Sequence, residues 1–256
     1  MFRKFCFLAV VLCMVGVIFS ASARSIPKEV RREPNKPNIS LLHEHTKLCD
    51  ETSPQPVQII CILDRSGSMR ELVEDTIGGF NSFLDKQKQN PDKAQVTTIL
   101  FDDQYEIISE SVDLNEAKYL TSEEYFSRGT TALLDAIGRT VSNTLGKMEK
   151  EKICPAKRRV LFLIMTDGLE NASREYNKST IKSLIASTTK EYNWNYIFIG
   201  ANIDSVSEAK SLGISAKNAA NFSHDPTGVQ KSFSMMDSVA TEVREKGIIG
   251  EDWQSH

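Results

Sequence analysis

The sequence predicts an α/β fold: a doubly wound, mostly parallel sheet of six strands with one antiparallel edge strand and helices on both faces. Three observations lead there. From Val57 onward, apolar runs of strand length alternate with amphipathic stretches of helical period. Two of the runs, "VQIICIL" at 57–63 and "VLFLIM" at 160–165, are nearly continuous in apolar residues, as strands buried on both faces are. A third pair, "QVTTILF" and "YEIIS", is separated only by Asp102, Asp103 and Gln104, which marks a hairpin at a sheet edge.

The elements follow in order. After the strand at 57–63, Leu72, Val73, Ile77, Phe80, Phe83 and Leu84 recur at helical spacing. The hairpin comes next, with its two aspartates read as turn formers. Leu133, Ile137, Val141, Leu145 and Met148 define a second helix, and the strand at 160–165 follows it. Ile181, Leu184 and Ile185 mark a third helix, "YIFIG" at 196–200 a strand, and Ser207 to Leu212 a short helix stopped by Gly213. A last strand lies near Ala219 to Phe222. The final helix starts near Asp225-Pro226 and buries Phe233, Met236, Val239 and Val243.

Upstream of this domain (57–250) the chain has a different character. Residues 1–23 carry Arg3 and Lys4, an apolar run from Phe5 to Phe19, and Ala21-Ser22-Ala23, the pattern of a cleaved secretory signal. The alternative is an uncleaved anchor, for which the run is short. Residues 24–56 hold five of the eight prolines and many charges and read as an extension; His43 and His45 within it receive no role. Residues 251–256 read as a tail. Removing 1–23 takes two basic and no acidic residues from a chain of net charge -3, leaving -5. Such a balance offers no electrostatic attraction to nucleic acid or anionic lipid, and cleavage leaves no stable membrane insertion. The expected address is secreted or periplasmic. Of the three cysteines that remain, Cys61 sits in an apolar run as a core residue, so Cys49 and Cys154 form the candidate disulfide pair, with three free thiols as the alternative.

The strand ends carry the chemistry. Ligands of open α/β sheets bind beyond the carboxyl ends of the strands, where strand order reverses. Asp64, Ser66 and Ser68 follow the first strand, Thr130 and Thr131 open the second helix, and Asp167 ends the strand at 160–165. The set offers carboxylates and hydroxyls, which are hard oxygen donors suited to Mg²⁺, Mn²⁺ or Ca²⁺. Alternate spacing in "DRSGSM" aims every second side chain inward, with Gly67 letting the backbone turn.

"DRSGSM", "RGTTALLDAIG" and "LIMTDGLENAS" together resemble the three loops of the metal-ion-dependent adhesion site of von Willebrand factor type A (VWA) domains. "EDTIGGFNSFL", "LFDDQYE", "TDGLENASRE" and "YIFIGANID" are similar to stretches of small secreted prokaryotic members. The resemblance covers about 57–246. It implies that Ser66 and Ser68 bind the metal directly, that Thr131 binds directly or through water, and that Asp64 and Asp167 act largely through coordinated waters. Thr130 stands where the family has a small residue. The family topology also implies that Cys49 and Cys154 both lie near the sheet end opposite the metal.

The implied function is a metal-dependent binding module whose protein partner supplies an acidic residue, with Arg65 and Asn171 as rim residues for selectivity. A metal-dependent hydrolase and a metal-indifferent envelope scaffold are the alternatives. Against the enzyme, none of His43, His45, His224 and His256 falls in the three loops, and neither G-x-S-x-G nor G-x-x-x-x-G-K-[ST] is present. Of four N-x-[ST] matches, at Asn38, Asn171, Asn177 and Asn221, the one at Asn171 would put any glycan on the site.

Overall fold

The computed structural model describes residues 55–255. The expected signal, most of the extension and Cys49 lie outside the described residues, and so does the Cys49–Cys154 pairing.

The sheet has six strands in the order β3-β2-β1-β4-β5-β6. β1 (Val57–Asp64) lies between β2 (Ala94–Phe101) and β4 (Val160–Thr166), parallel to both. β5 (Asn195–Gly200) and β6 (Ala219–Asn221) continue the parallel run. β3 (Tyr105–Asp113) pairs antiparallel with β2 at the edge, as the short Asp102-Asp103-Gln104 connection requires. β3 runs beyond the expected five residues, with pairing irregular around Thr98 and Ser111 in a positive-φ conformation.

Why β1 reads as an apolar run is now visible: all eight of its residues are buried. Its side chains alternate between two cores. Ile59, Cys61 and Leu63 face α1 (Val73–Gln89) and α5 (Pro226–Lys246), meeting Phe80, Phe83, Met236 and Val239. Ile60 and Ile62 face α2 (Leu133–Lys150) and α3 (Lys178–Tyr192), meeting Leu133, Ile137, Val141 and Leu184. A short α4 (Ser205–Ser211) begins two residues before the expected start because Asp204 caps it, accepting from the Ser207 N–H. Leu72 belongs to a 3-10 turn, Gly67–Leu72, that precedes α1.

The chain leaves β1 toward β2 on one side, whereas β4 lies on the other. The connections therefore part at the carboxyl ends of β1 and β4 and open a crevice there. The parallel register sets Leu63 beside Met165, so Asp64 and Thr166 end their strands side by side.

Residues 251–255 are not a free tail. Trp253 is buried in the core shared by α1 and α5, and its indole Nε1 donates to the Lys217 carbonyl at 2.9 Å. An indole buries a large apolar area, and its donor is met, so the segment is fixed to the domain. Trp253→Ala is expected to cost about 3–5 kcal/mol, or roughly 6–20 °C in thermal unfolding of a domain this size; a melting point within 2 °C of wild type would contradict that packing.

Candidate metal centre

β1 delivers Asp64 to the crevice as a fully buried carboxylate. Its Oδ1 accepts from the Ser66 backbone N–H at 2.7 Å and its Oδ2 from the Thr166 hydroxyl at 2.6 Å. The first bond folds the loop back so that Ser66 and Ser68 point the same way, with their hydroxyl oxygens 3.1 Å apart. Ser68 Oγ donates to Asp167 Oδ1 at 2.6 Å, closing the first loop on the third. Burial pushes the Asp64 carboxyl up to about 6, against the lowering effect of the Thr166 and Ser66 bonds. Tyr125, also buried, donates its hydroxyl to the Asp64 carbonyl.

Thr131 comes from the second loop, which is tied to both others. The Thr131 backbone N–H donates to Asn171 Oδ1 at 2.9 Å, and its carbonyl accepts from the Asn171 N–H at 3.0 Å. Thr131 is buried and Thr130 exposed, so the two adjacent threonines have opposite environments. Gly129 holds φ +66°, and a Cβ there would lie 2.1 Å from Asp103 Oδ1, so any other residue would be strained and would displace Asp103. Gly67 has an ordinary φ; what constrains it is the close approach of the Gly129 carbonyl, 3.2 Å from both its N and the position a Cβ would take.

Two side-chain readings are corrected. Arg65 is not a rim residue: its side chain is fully buried. Nε donates to Asp102 Oδ2 at 2.9 Å, one terminal nitrogen to Glu106 at 2.6 Å and the other to the Glu124 carbonyl at 2.9 Å. A guanidinium fork can occupy such a place because its donors are met. Asp102 is more than a turn former. It accepts from the Gln104 N–H, Arg65 and Arg128 while its carbonyl takes the Ala132 N–H at 2.8 Å. Burial alone would raise the Asp102 carboxyl, but Arg128, Gln104 and Arg65 outweigh it and hold it below the usual range. Asn171 is exposed, as a rim residue must be, yet its amide oxygen is committed to Thr131.

The VWA family model matches residues 58–235, and with the three loops converging as described this decides the family. The chain belongs to the von Willebrand factor type A family. Among solved structures, the VWA protein from Catenulispora acidiphila superposes with a TM-score of 0.53 at 15% identity, covering 74% of this chain and 43% of that one. Proximal thread matrix protein 1 from the mussel byssus gives 0.53 at 12% identity over 73% and 48% of the two chains. A form of the mussel protein described as having a zinc-occupied MIDAS motif gives 0.50 at 14% identity over 73% and 46%. The matched part of this VWA chain thus spans less than half the length of each, and the likeness concerns the fold. No curated protein matches the sequence.

The VWA loops suit a hard divalent ion. Among the described residues no three of His, Cys, Asp and Glu converge as a cage, so an ion held here would need hydroxyl donors as well. The 3.1 Å between Ser66 Oγ and Ser68 Oγ fits two adjacent donors on an ion with bonds of about 2.1–2.2 Å. Gly168 leaves the space open: a Cβ there would lie 3.5 Å from Ser68 Oγ and 3.6 Å from Thr131 Oγ1.

Several residues at this VWA site were not singled out from the sequence. His224 Nε2 lies 2.9 Å from Asp167 Oδ2, carried by the loop after β6. Glu170 accepts from the Leu134, Ala172 and Ser173 N–H groups and the Ser173 hydroxyl, and Asp135 accepts from the N–H groups of Arg174, Glu175 and Tyr176. These clasps bind the third loop to the first turn of α2. A Glu and a Ser close behind a strand-end Asp, with an Asp in the first turn of the facing helix, are the available signal.

Asp64→Asn separates folding from metal binding. With chelator present, its melting point at pH 7.5 is expected to be no lower than wild type, because a buried charge is removed. Since the folded carboxyl is raised from 3.8 to about 6, its stabilising contribution is present below pH 4 and lost as pH rises toward 6. The gap in favour of Asn should therefore widen across that window, by at most about 3 kcal/mol, and level off above it. Mg²⁺ at a hundredfold its Kd should stabilise wild type by about 2.7 kcal/mol, roughly 5–10 °C, and leave the variant unmoved. A Mg²⁺ shift retained in Asp64→Asn would remove Asp64 from the centre.

Proposed function

We propose that this VWA domain is a divalent-metal-dependent binding module that captures a protein partner through a carboxylate on the partner. Ser66, Ser68 and Thr131 would hold Mg²⁺, or Mn²⁺ or Ca²⁺, with Asp64 and Asp167 acting largely through water. The ion would supply a positive centre able to accept one further anionic oxygen. The observation that carries the reading is the exposure pattern: Asp64, Ser66, Thr131 and Asp167 are buried, while Ser68 reaches solvent. The donor set therefore opens outward on one side. Leu169, 62% exposed beside the third-loop donors, adds apolar contact area at that opening. The zinc-occupied motif of the mussel protein supports the metal reading at the level of a shared fold.

His224 is the one observation that favours a metal-dependent hydrolase, because it brings to the loops an imidazole, the commonest general base, which they otherwise lack. With Nε2 engaged by Asp167 only Nδ1 is left to act as a base, and binding stands as the proposal. No helix among the described residues is long and apolar enough to cross a membrane, and the secreted or periplasmic address rests on the N-terminal leader pattern.

Affinity capture from the surrounding medium, run with Mg²⁺, with chelator and with Asp64→Ala, tests the proposal. A specific partner retained by wild type with Mg²⁺ and lost in both other arms is the expected result. Capture indifferent to chelator and variant would instead mark a scaffold, and metal-dependent turnover of an ester or phosphate substrate would mark an enzyme.

A further inference from the structure

Outside the three loops, His224 is a titratable side chain that reaches both Asp167 and Ser68. It sits between β6 and α5 in a tightly built connection. Phe222 N–H donates to the Gly200 carbonyl at 2.9 Å, Asp225 N–H to the Ser223 carbonyl at 2.7 Å, and the Asp225 side chain caps α5 by accepting from the Gly228 N–H at 2.7 Å. A Cβ on Gly228 would lie 1.9 Å from the Ser223 carbonyl oxygen, so loop and helix start are pressed together. α5 crosses back from the far edge of the sheet to pack on α1, β1 and β4. That crossing brings the loop over the crevice.

His224 Nε2 contacts Asp167 Oδ2 at 2.9 Å and the Ser68 carbonyl oxygen at 3.3 Å. A carboxylate and a backbone carbonyl are both acceptors, so Nε2 carries the hydrogen and has no lone pair to give a metal. The two oxygens of Asp167 are divided: Oδ1 takes the Ser68 hydroxyl, a donor of the site, and Oδ2 takes the imidazole. Metal-binding carboxylates depend on such outer hydrogen bonds for their orientation.

We propose that His224 is a positioning residue of the metal centre: its Nε2–H holds Asp167 Oδ2, keeping Oδ1 turned toward Ser68 and the ion. This rests on the metal-centre reading above. It adds a fourth loop to the site and makes the β6–α5 connection part of its metal affinity.

The test is calorimetric titration of Mg²⁺ and Mn²⁺ into the full chain as wild type, His224→Ala and His224→Gln. Loss of an outer hydrogen bond should weaken both ions about 10–100-fold in His224→Ala, while the Gln amide, also an N–H donor, restores affinity to within about threefold. Pulsed EPR of bound Mn²⁺ in wild type should show no directly coordinated nitrogen. If His224→Ala unfolds, the Gln variant and the EPR result still decide. Three results overturn the inference: His224→Ala affinity within twofold of wild type, a Gln variant as weak as Ala, or a Mn²⁺-bound nitrogen, which would make His224 a ligand. A folded wild type that takes up neither ion overturns the metal-centre reading itself and this inference with it.

Discussion

A carboxylate buried at the end of a strand buried on both faces is the constraint around which this domain is arranged. Asp64 is closed off from bulk solvent, and its neighbour Asp167 adds a second negative group that makes ionisation harder. The fold answers with hydrogen bonds from Ser66 and Thr166, which orient Asp64 without neutralising it. Its positive side chains are spent elsewhere: Arg65 and Arg128 both go to Asp102, on the far side of the first loop. Two carboxylates and three hydroxyls are thus gathered with their charge left for a cation to balance.

The Arg65–Asp102–Arg128 cluster explains how the loops keep their shape. Arg65 follows Asp64 directly, and its backbone N–H binds the Phe101 carbonyl while its own carbonyl takes the Arg128 N–H. One residue therefore joins the ends of β1 and β2 to the loop that delivers Thr131. Phe126 lies against both guanidinium groups, at 5.4 and 5.2 Å, with Arg65 buried and Arg128 partly exposed. On the opposite side, Glu170, Asn171 and Ser173 clasp the start of α2. Thr131 is held from both directions, which is what a pre-formed site needs.

The fold was legible because β1 and β4 bury both faces and so show unbroken apolar runs, while the helices bury one and show a period. The gathering of Asp64, Ser66, Ser68, Thr131 and Asp167 at one crevice was legible for a related reason: polar side chains at the ends of such strands have no other place to go. What escaped the sequence depends on distances between segments. Arg65 looks like a surface charge until Asp102, 37 positions away, turns out to face it. His224 lies 57 residues from Asp167, and only the path of α5 across the sheet joins them. Trp253 reads as part of a polar tail, because one aromatic residue has no periodicity to reveal what it packs on.

The central claim, that the three loops form one ion-binding centre, is tested most directly by the anomalous difference map of a Mn²⁺-soaked crystal. The expected peak lies in the crevice, with Ser66 Oγ and Ser68 Oγ at about 2.1–2.3 Å and Asp64 and Asp167 around it. A fully soaked crystal with no peak there, or with Mn²⁺ bound only elsewhere, would contradict it.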